Sequence, residues 1–260
     1  MEGFKETRQE NFEKKDFIVA IFGGGSESTD SDKLAMADAN KLATSIIESG
    51  FSVATGGYNT GTMRVASEAA AEKLAEQGVG DTTSQIKAFP LTKNFKNKGQ
   101  EVPEVENAEI VRSRSLPKRL DHLINEPSAY IVLNGNIGTT VELLTALHSE
   151  MLNAMKTGEK FKKPIIIVDE SLKHVDTLAA LVNKDHRLQN TSVFEDCFVV
   201  NDLEKSLEVV ESILNSYYEK TQGYQNFSRI AAEKGSSDQR YYKLSTFLKQ
   251  RDSFESGGGI

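Results

Sequence analysis

The sequence predicts an α/β fold, a Rossmann-like three-layer sandwich around a mostly parallel central sheet. Three observations carry that expectation. Short apolar runs at 17–22, 51–54, 86–89, 129–133, 164–168 and 197–200 alternate with longer segments, several with apolar residues at helical spacing. Several runs end in a glycine-bearing turn that opens a helix, as βα units feeding a parallel sheet do. At 260 residues and 38% hydrophobic, the chain can bury a sizeable core within one domain.

The elements follow in order. The strand at 17–22 turns at Gly23-Gly24-Gly25-Ser26, and Asp30-Ser31-Asp32 caps a helix whose Leu34, Ala35, Leu42, Ala43, Ile46 and Ile47 recur at helical spacing. The strand at 51–54 ends at Thr55-Gly56-Gly57, after which Gly61-Thr62-Met63 opens a helix to about residue 77. The strand at 86–89 is halted by Pro90. Residues 91–108 read as a polar excursion with no core pattern, where Lys93, Lys96 and Lys98 read first as solvated loop residues and, as the alternative, as guards of a site entrance. A short strand near 109–111, a helix at 117–125, the central strand at 129–133 and a helix at 138–156 follow. Buried strands at 164–168 and 197–200 and a closing helix at 203–218 complete the sheet. Residues 1–15 form a polar N-terminal extension and 16–219 the single Rossmann-like domain. Residues 220–260 form a C-terminal arm or tail, its first half packing on the body or on a partner and its end disordered.

Composition excludes several functions. A net charge of -7 argues against nucleic acid as the partner, because phosphate-backbone binders usually carry a basic face. The N-terminus is polar and mixed in charge, and no apolar run approaches a bilayer span, so a soluble, cytoplasmic protein without membrane contact is expected. The single Cys197 lies in an apolar run and reads as core, which leaves no disulfide framework and suggests a reducing compartment. His122, His148, His174 and His186 lack metal-ligand spacing and read as surface or helix-face residues, so no metal is expected. The run from Gly23 to Ser28 misses the dinucleotide fingerprint, since Ser28 stands where the third glycine belongs; no nicotinamide or flavin is expected.

The most informative stretch is 129–142, where an apolar strand runs into Gly135 and Gly138 and then a helix. Such a turn brings backbone close to a ligand, and the first helical amides and the helix dipole favour an anion there. Gly57-x-x-x-Gly61-Thr62 echoes Gly135-x-x-Gly138-Thr139, so two helix starts are expected to converge on one anion at the carboxyl edge of the sheet. Glu142, one turn inside its helix, is placed to reach a sugar or a water beside that anion. Taken alone, Thr139-x-x-Glu142 also matches a helix capping box, and Arg119 a solvated helix residue.

In combination, these residues resemble the LONELY GUY (LOG) family, formerly labelled lysine-decarboxylase-like. The resemblance covers roughly 17–215: Gly25-Ser26, Gly56-Gly57 ahead of Gly61-Thr62-Met63, an arginine helix with Arg119, and the family's Pro-Gly-Gly-x-Gly-Thr-x-x-Glu. Gly135, Gly138, Thr139 and Glu142 match that motif; Asn134 replaces its proline, Asn136 its second glycine, and Leu120 the lysine that follows the arginine. The resemblance implies a phosphoribohydrolase that cleaves the N-glycosidic bond of a cytokinin-type or AMP-like nucleoside 5'-monophosphate to base and ribose 5-phosphate. It implies Arg119 and Glu142 as the catalytic pair, with Gly25, Ser26, Gly57, Gly61, Thr62, Gly135, Asn136, Gly138 and Thr139 around the ligand. It also implies a small phosphorylated ligand, a nucleotide, as partner, no cofactor, and a homodimer. Breaking a ribosyl C1'–N bond passes through an oxocarbenium-like state, which Glu142 suits by holding ribose hydroxyls or deprotonating water. The alternative is a non-catalytic nucleotide or cofactor binder of the molybdenum cofactor carrier type, or a nucleotide sensor.

Overall fold

The computed structural model describes residues 12–92, 96–97, 100–101, 103–157, 163–168, 173–184, 196–221 and 241–243. The elements are β1 (Ile18–Phe22), α1 (Asp30–Glu48), β2 (Ser52–Thr55), α2 (Gly61–Glu76), β3 (Ile86–Ala88), β4 (Lys96–Asn97), β5 (Gln100–Glu101) and β6 (Glu109–Ile110). They continue with α3 (Leu116–Asn125), β7 (Ala129–Val132), α4 (Ile137–Thr157), β8 (Ile165–Val168), α5 (Lys173–Lys184), β9 (Cys197–Val200), α6 (Leu203–Thr221) and β10 (Tyr241–Lys243). The main sheet runs β10-β9-β8-β7-β1-β2-β3-β6, parallel except for β10, and β4 and β5 form a separate small hairpin.

The α/β sandwich follows from burial on both faces of the strands. In β1, Val19 and Ile21 face one core with α1, α2 and α6, whereas Ile18, Ala20 and Phe22 face a second with α3, α4 and α5. That alternation explains why each run is apolar throughout: side chains of a strand point to opposite faces, and both faces here are covered by helices. Strand order reverses between β1 and β7, with β2, β3 and β6 stepping one way and β8 and β9 the other. α1 and α4, which follow β1 and β7, therefore leave to opposite faces of the sheet and open a crevice at its carboxyl edge, the place where open parallel sheets hold ligands.

Several local expectations change. The cap of α1 is Thr29, whose hydroxyl accepts from the Asp32 amide while Asp32 accepts from the Thr29 amide; Asp30 and Asp32 lie in the first turn. Ser115 caps α3, one residue before Leu116, and Pro117 follows within the first turn, where its missing N–H costs nothing. α5 was not expected from the sequence; Val175, Leu178 and Ala179 bury its inner face. Part of the polar excursion is core after all. Val105 and Ala108 are buried, the Val105 amide donates to the Gly57 carbonyl at 3.1 Å, and the Asn59 amide donates to the Pro103 carbonyl at 2.8 Å. Lys96 lies in β4, while Lys93 and Lys98 fall outside the described residues.

Cys197 is buried in β9, and burial pushes its thiol far above the ordinary range. His174 departs from the surface reading: it is buried at the start of α5. His122 stacks on Phe89 with ring centroids 6.0 Å apart and meets Glu126 at 2.6 Å, His148 is exposed, and His186 lies outside the described residues. At the N-terminal end, Phe12 stacks on Tyr218 of α6 at 6.2 Å and Lys14 donates to the Ser49 carbonyl at 3.2 Å. Within the expected C-terminal arm, β10 joins the sheet edge antiparallel to β9, Tyr241 opposite Val200. Among the described residues no helix is long and apolar enough to cross a membrane, and no group of three metal-ligating side chains occurs.

Candidate functional site

Three turns meet at the crevice, and glycine lets them meet. The Gly24 amide donates to the Asn134 carbonyl at 3.3 Å, and the amide and hydroxyl of Thr62 donate to the Gly24 carbonyl at 3.0 and 3.1 Å. A Cβ on Gly135 would strike the Thr139 hydroxyl and stand 2.9 Å from the Gly24 nitrogen. Gly61 has φ +53°, and a Cβ there would run into the Gly24 carbonyl. Gly61 and Gly135 thus serve the packing of one turn on another. Gly138 differs. It is exposed, and nothing lies within 4 Å of where its Cβ would stand.

α4 begins at Ile137, with the Asn136 carbonyl accepting from the Thr140 amide at 3.1 Å. Asn136 is therefore the residue at the cap, a position that suits asparagine. Thr139 lies inside the helix, so the capping box of Thr139 with Glu142 does not form. Glu142 turns to α3 instead. Arg119 Nη1 donates to Glu142 Oε1 at 3.3 Å, Nε to the Phe89 carbonyl at 2.8 Å and Nη2 to the Gly56 carbonyl at 3.4 Å. Both side chains are nearly sequestered, 11% and 12% exposed. Burial pushes the Glu142 carboxyl above its usual range, and the adjacent guanidinium opposes that shift without cancelling it.

The start of α2 is not open. The Gly61 amide donates to Glu27 Oε1 at 2.8 Å, and Arg64 Nη2 donates to the same oxygen at 3.2 Å. That amide, and then Arg64, hold the Glu27 carboxyl below its usual range. The chain's own carboxylate occupies the seat expected for an anion at Gly61, which leaves the start of α4 as the exposed one. Of the remaining expected ligand residues, Gly25 accepts from the Thr60 hydroxyl at 2.7 Å, and Ser26 sits at the rim with its hydroxyl 3.1 Å from that of Ser28. Gly57 has φ +89° and lies under Pro90, tied through Val105 to the excursion.

Sequence reasoning missed residues that build the arginine seat. A Cβ on Gly56 would collide with the Arg119 guanidinium and with the Met63 sulfur, so only glycine leaves room for that side chain. Tyr58 places its ring 5.9 Å from the guanidinium and accepts from the Leu91 amide through its hydroxyl at 3.0 Å. Arg119, Glu142 and two backbone carbonyls thus form a charged cluster in a low-dielectric edge of the sheet. Such a carboxylate is a stronger base than an exposed one once ionised, because its proton affinity is raised.

The family model described as "Possible lysine decarboxylase" matches residues 63–210. No curated protein matches the chain. Among solved structures the chain is similar to the molybdenum cofactor binding protein from the phototrophic bacterium Rippkaea orientalis, with 19% identity, 78% of this chain and 99% of that chain covered, and a TM-score of 0.47. It is also similar to the molybdenum cofactor carrier protein from Chlamydomonas reinhardtii, with 16% identity, 77% and 99% covered, and a TM-score of 0.46. The matched span takes in more than half of the chain and includes Arg119 and Gly135-x-x-Gly138-Thr139-x-x-Glu142. The protein belongs to the lysine-decarboxylase-like family, also called the LOG family.

Proposed function

We propose that the protein is a phosphoribohydrolase that binds a nucleoside 5'-monophosphate and hydrolyses its N-glycosidic bond to free base and ribose 5-phosphate. The buried ion pair of Arg119 with Glu142 beside the start of α4 carries this reading. The 5'-phosphate sits over Gly138, where the exposed helix start offers amides and a favourable dipole, with Gly25 and Ser26 at the rim. Glu142 takes a proton from water as the water oxygen bonds to C1'. The C1'–N bond breaks with its electron pair leaving on the base, which then receives a proton. Arg119, held by two carbonyls, keeps the carboxylate oriented and offsets its charge.

Incubation with nucleoside 5'-monophosphates, followed by chromatography for base and ribose 5-phosphate, tests the reading. Glu142→Gln should abolish release and leave binding largely intact, since the carboxylate acts mainly in the transition state. Binding without release in the unmodified protein supports the second reading, a non-catalytic binder. Two observations favour that alternative: Glu142 has little exposure, and Asn134 and Asn136 stand where the family motif has proline and glycine.

The same reading includes a homodimer built on α4. Ile137 is 82% exposed, and Val141, one turn on, and Leu152 are also exposed large apolar residues. The first two share a helix face. A second copy covering them would place its surface near Gly138. Light scattering checks this, and a monomer at micromolar concentration would remove the dimer.

A further inference from the structure

A second recess borders the β7–α4 turn at Asn134. It is a cavity of about 390 Å³ at the carboxyl ends of β7 and β8, within the size range of small-molecule sites. Its walls are Asp30, Ser31, Leu34, Ala35 and Asp38 of α1, with Asn134 and Val168. Leu34, Ala35 and Val168 give the recess its apolar surface, beside the polar Asp30, Ser31, Asp38 and Asn134. Asp38 is only 8% exposed, a carboxylate sequestered in the recess. Among the described residues no basic side chain lines the cavity, and Asp38 and Asp30 stand in its wall, so a group rich in N–H donors is favoured there over a phosphate.

We propose that this cavity receives the heterocycle of the ligand, and that Asp38 selects a guanine-type edge, in which a ring N–H lies beside an exocyclic amino group. Two parallel N–H donors on adjacent atoms match the two oxygens of a carboxylate, while an adenine edge alternates donor and acceptor and leaves one oxygen facing a lone pair. A carboxylate has about four acceptor positions, so Asp38 can serve a structural partner and a ligand together. The apolar surface suits the flat faces of such a ring. Asn134 connects the recess to the anion seat: its side-chain amide donates to the Ser31 hydroxyl at the cavity wall, and its backbone precedes Gly135 on the way to Gly138. The inference rests on the proposed nucleotide reading and narrows its base, which the family resemblance alone places as adenine-like.

Calorimetric titration with guanosine, inosine, adenosine and inorganic phosphate, each alone, tests it. Guanosine should bind about tenfold or more tightly than inosine, which lacks only the amino group, and than adenosine. Asp38→Asn should weaken guanosine by a similar factor and leave phosphate unchanged. Leu34→Trp, made at an exposed rim position, should block guanosine without lowering the melting temperature, and it decides the matter if Asp38→Asn does not fold. Equal binding of guanosine and inosine, or guanosine binding that survives both substitutions, overturns the inference. Phosphate binding without any nucleoside binding overturns the inference and spares the phosphoribohydrolase reading. Asp38-dependent guanosine binding without phosphate binding does the reverse. Binding of neither overturns both.

Discussion

Arg119→Met removes a buried cation while keeping a side chain of similar length. It leaves the Glu142 carboxylate, 9% exposed, without its counter-charge and withdraws the donors that serve the Phe89 and Gly56 carbonyls. Breaking a buried pair from one side costs about 3–5 kcal/mol, most of it the penalty of the uncompensated charge. That origin makes the loss depend on pH. The folded-state pKa of Glu142 already lies above its ordinary 4.5 because of burial, and Arg119 supplies both opposing influences, so the substitution raises it further. A carboxyl with a raised folded pKa is best tolerated below its unfolded value. Stability then falls as pH rises towards the folded value, by about 1.4 kcal/mol per pH step across that interval. Urea unfolding followed by circular dichroism at pH 8 should show the full deficit, and at pH 5 a smaller one. Adding Glu142→Gln should recover much of the loss at pH 8, because the amide carries no charge to strand. An equal deficit at both pH values, or a double variant no better than the single one, would refute the reasoning and make Arg119 a packing residue.

Gly56→Ala should push the guanidinium off Glu142 without replacing any titratable group, so activity should fall about tenfold or more while stability falls by about 1–2 kcal/mol; steady-state assay and melting curves separate the two. Glu27→Gln should cost only about 0.3–1 kcal/mol, since the side chain is 43% exposed. The stabilisation it removes is present above the ordinary 4.5 and lost as pH falls through the lowered folded value. Phosphate titration of that variant should reveal tighter binding at the vacated α2 start, and an unchanged affinity would argue against Glu27 as an internal occupant. Gly61→Ala should destabilise by about 2–5 kcal/mol, from the left-handed backbone and the Gly24 carbonyl together, as measured by urea midpoint. If the unmodified protein binds nucleotide without releasing base, Asn134→Pro with Asn136→Gly should restore release, and continued silence would place the defect outside the β7–α4 turn.

The α/β class was legible in the residues alone, because strands such as Ile18–Phe22 and Ala129–Val132 are buried on both faces and carry that burial as unbroken apolar runs. Arg119 and Glu142 were marked as well, through the family motif rather than through any local pattern, and the structure brings the two side chains together from 23 positions apart. α5 was legible in principle, since Val175, Leu178, Ala179 and Val182 stand at helical spacing, whereas Val105 and Ala108 became core only because the Gly57 turn offered their segment a backbone partner. Which glycines face a neighbour and which face open space emerged only from the folded chain. Gly135 and Gly138 read alike in the motif, yet one is packed by Thr139 and Gly24 and the other meets nothing. The fold likewise sets Glu27, 34 positions before Gly61, as the group that closes the start of α2. One cause underlies these cases. Periodicity records what a segment buries along its own length, whereas the occupant of a helix start or the space above a glycine depends on which distant turns the strand order places side by side.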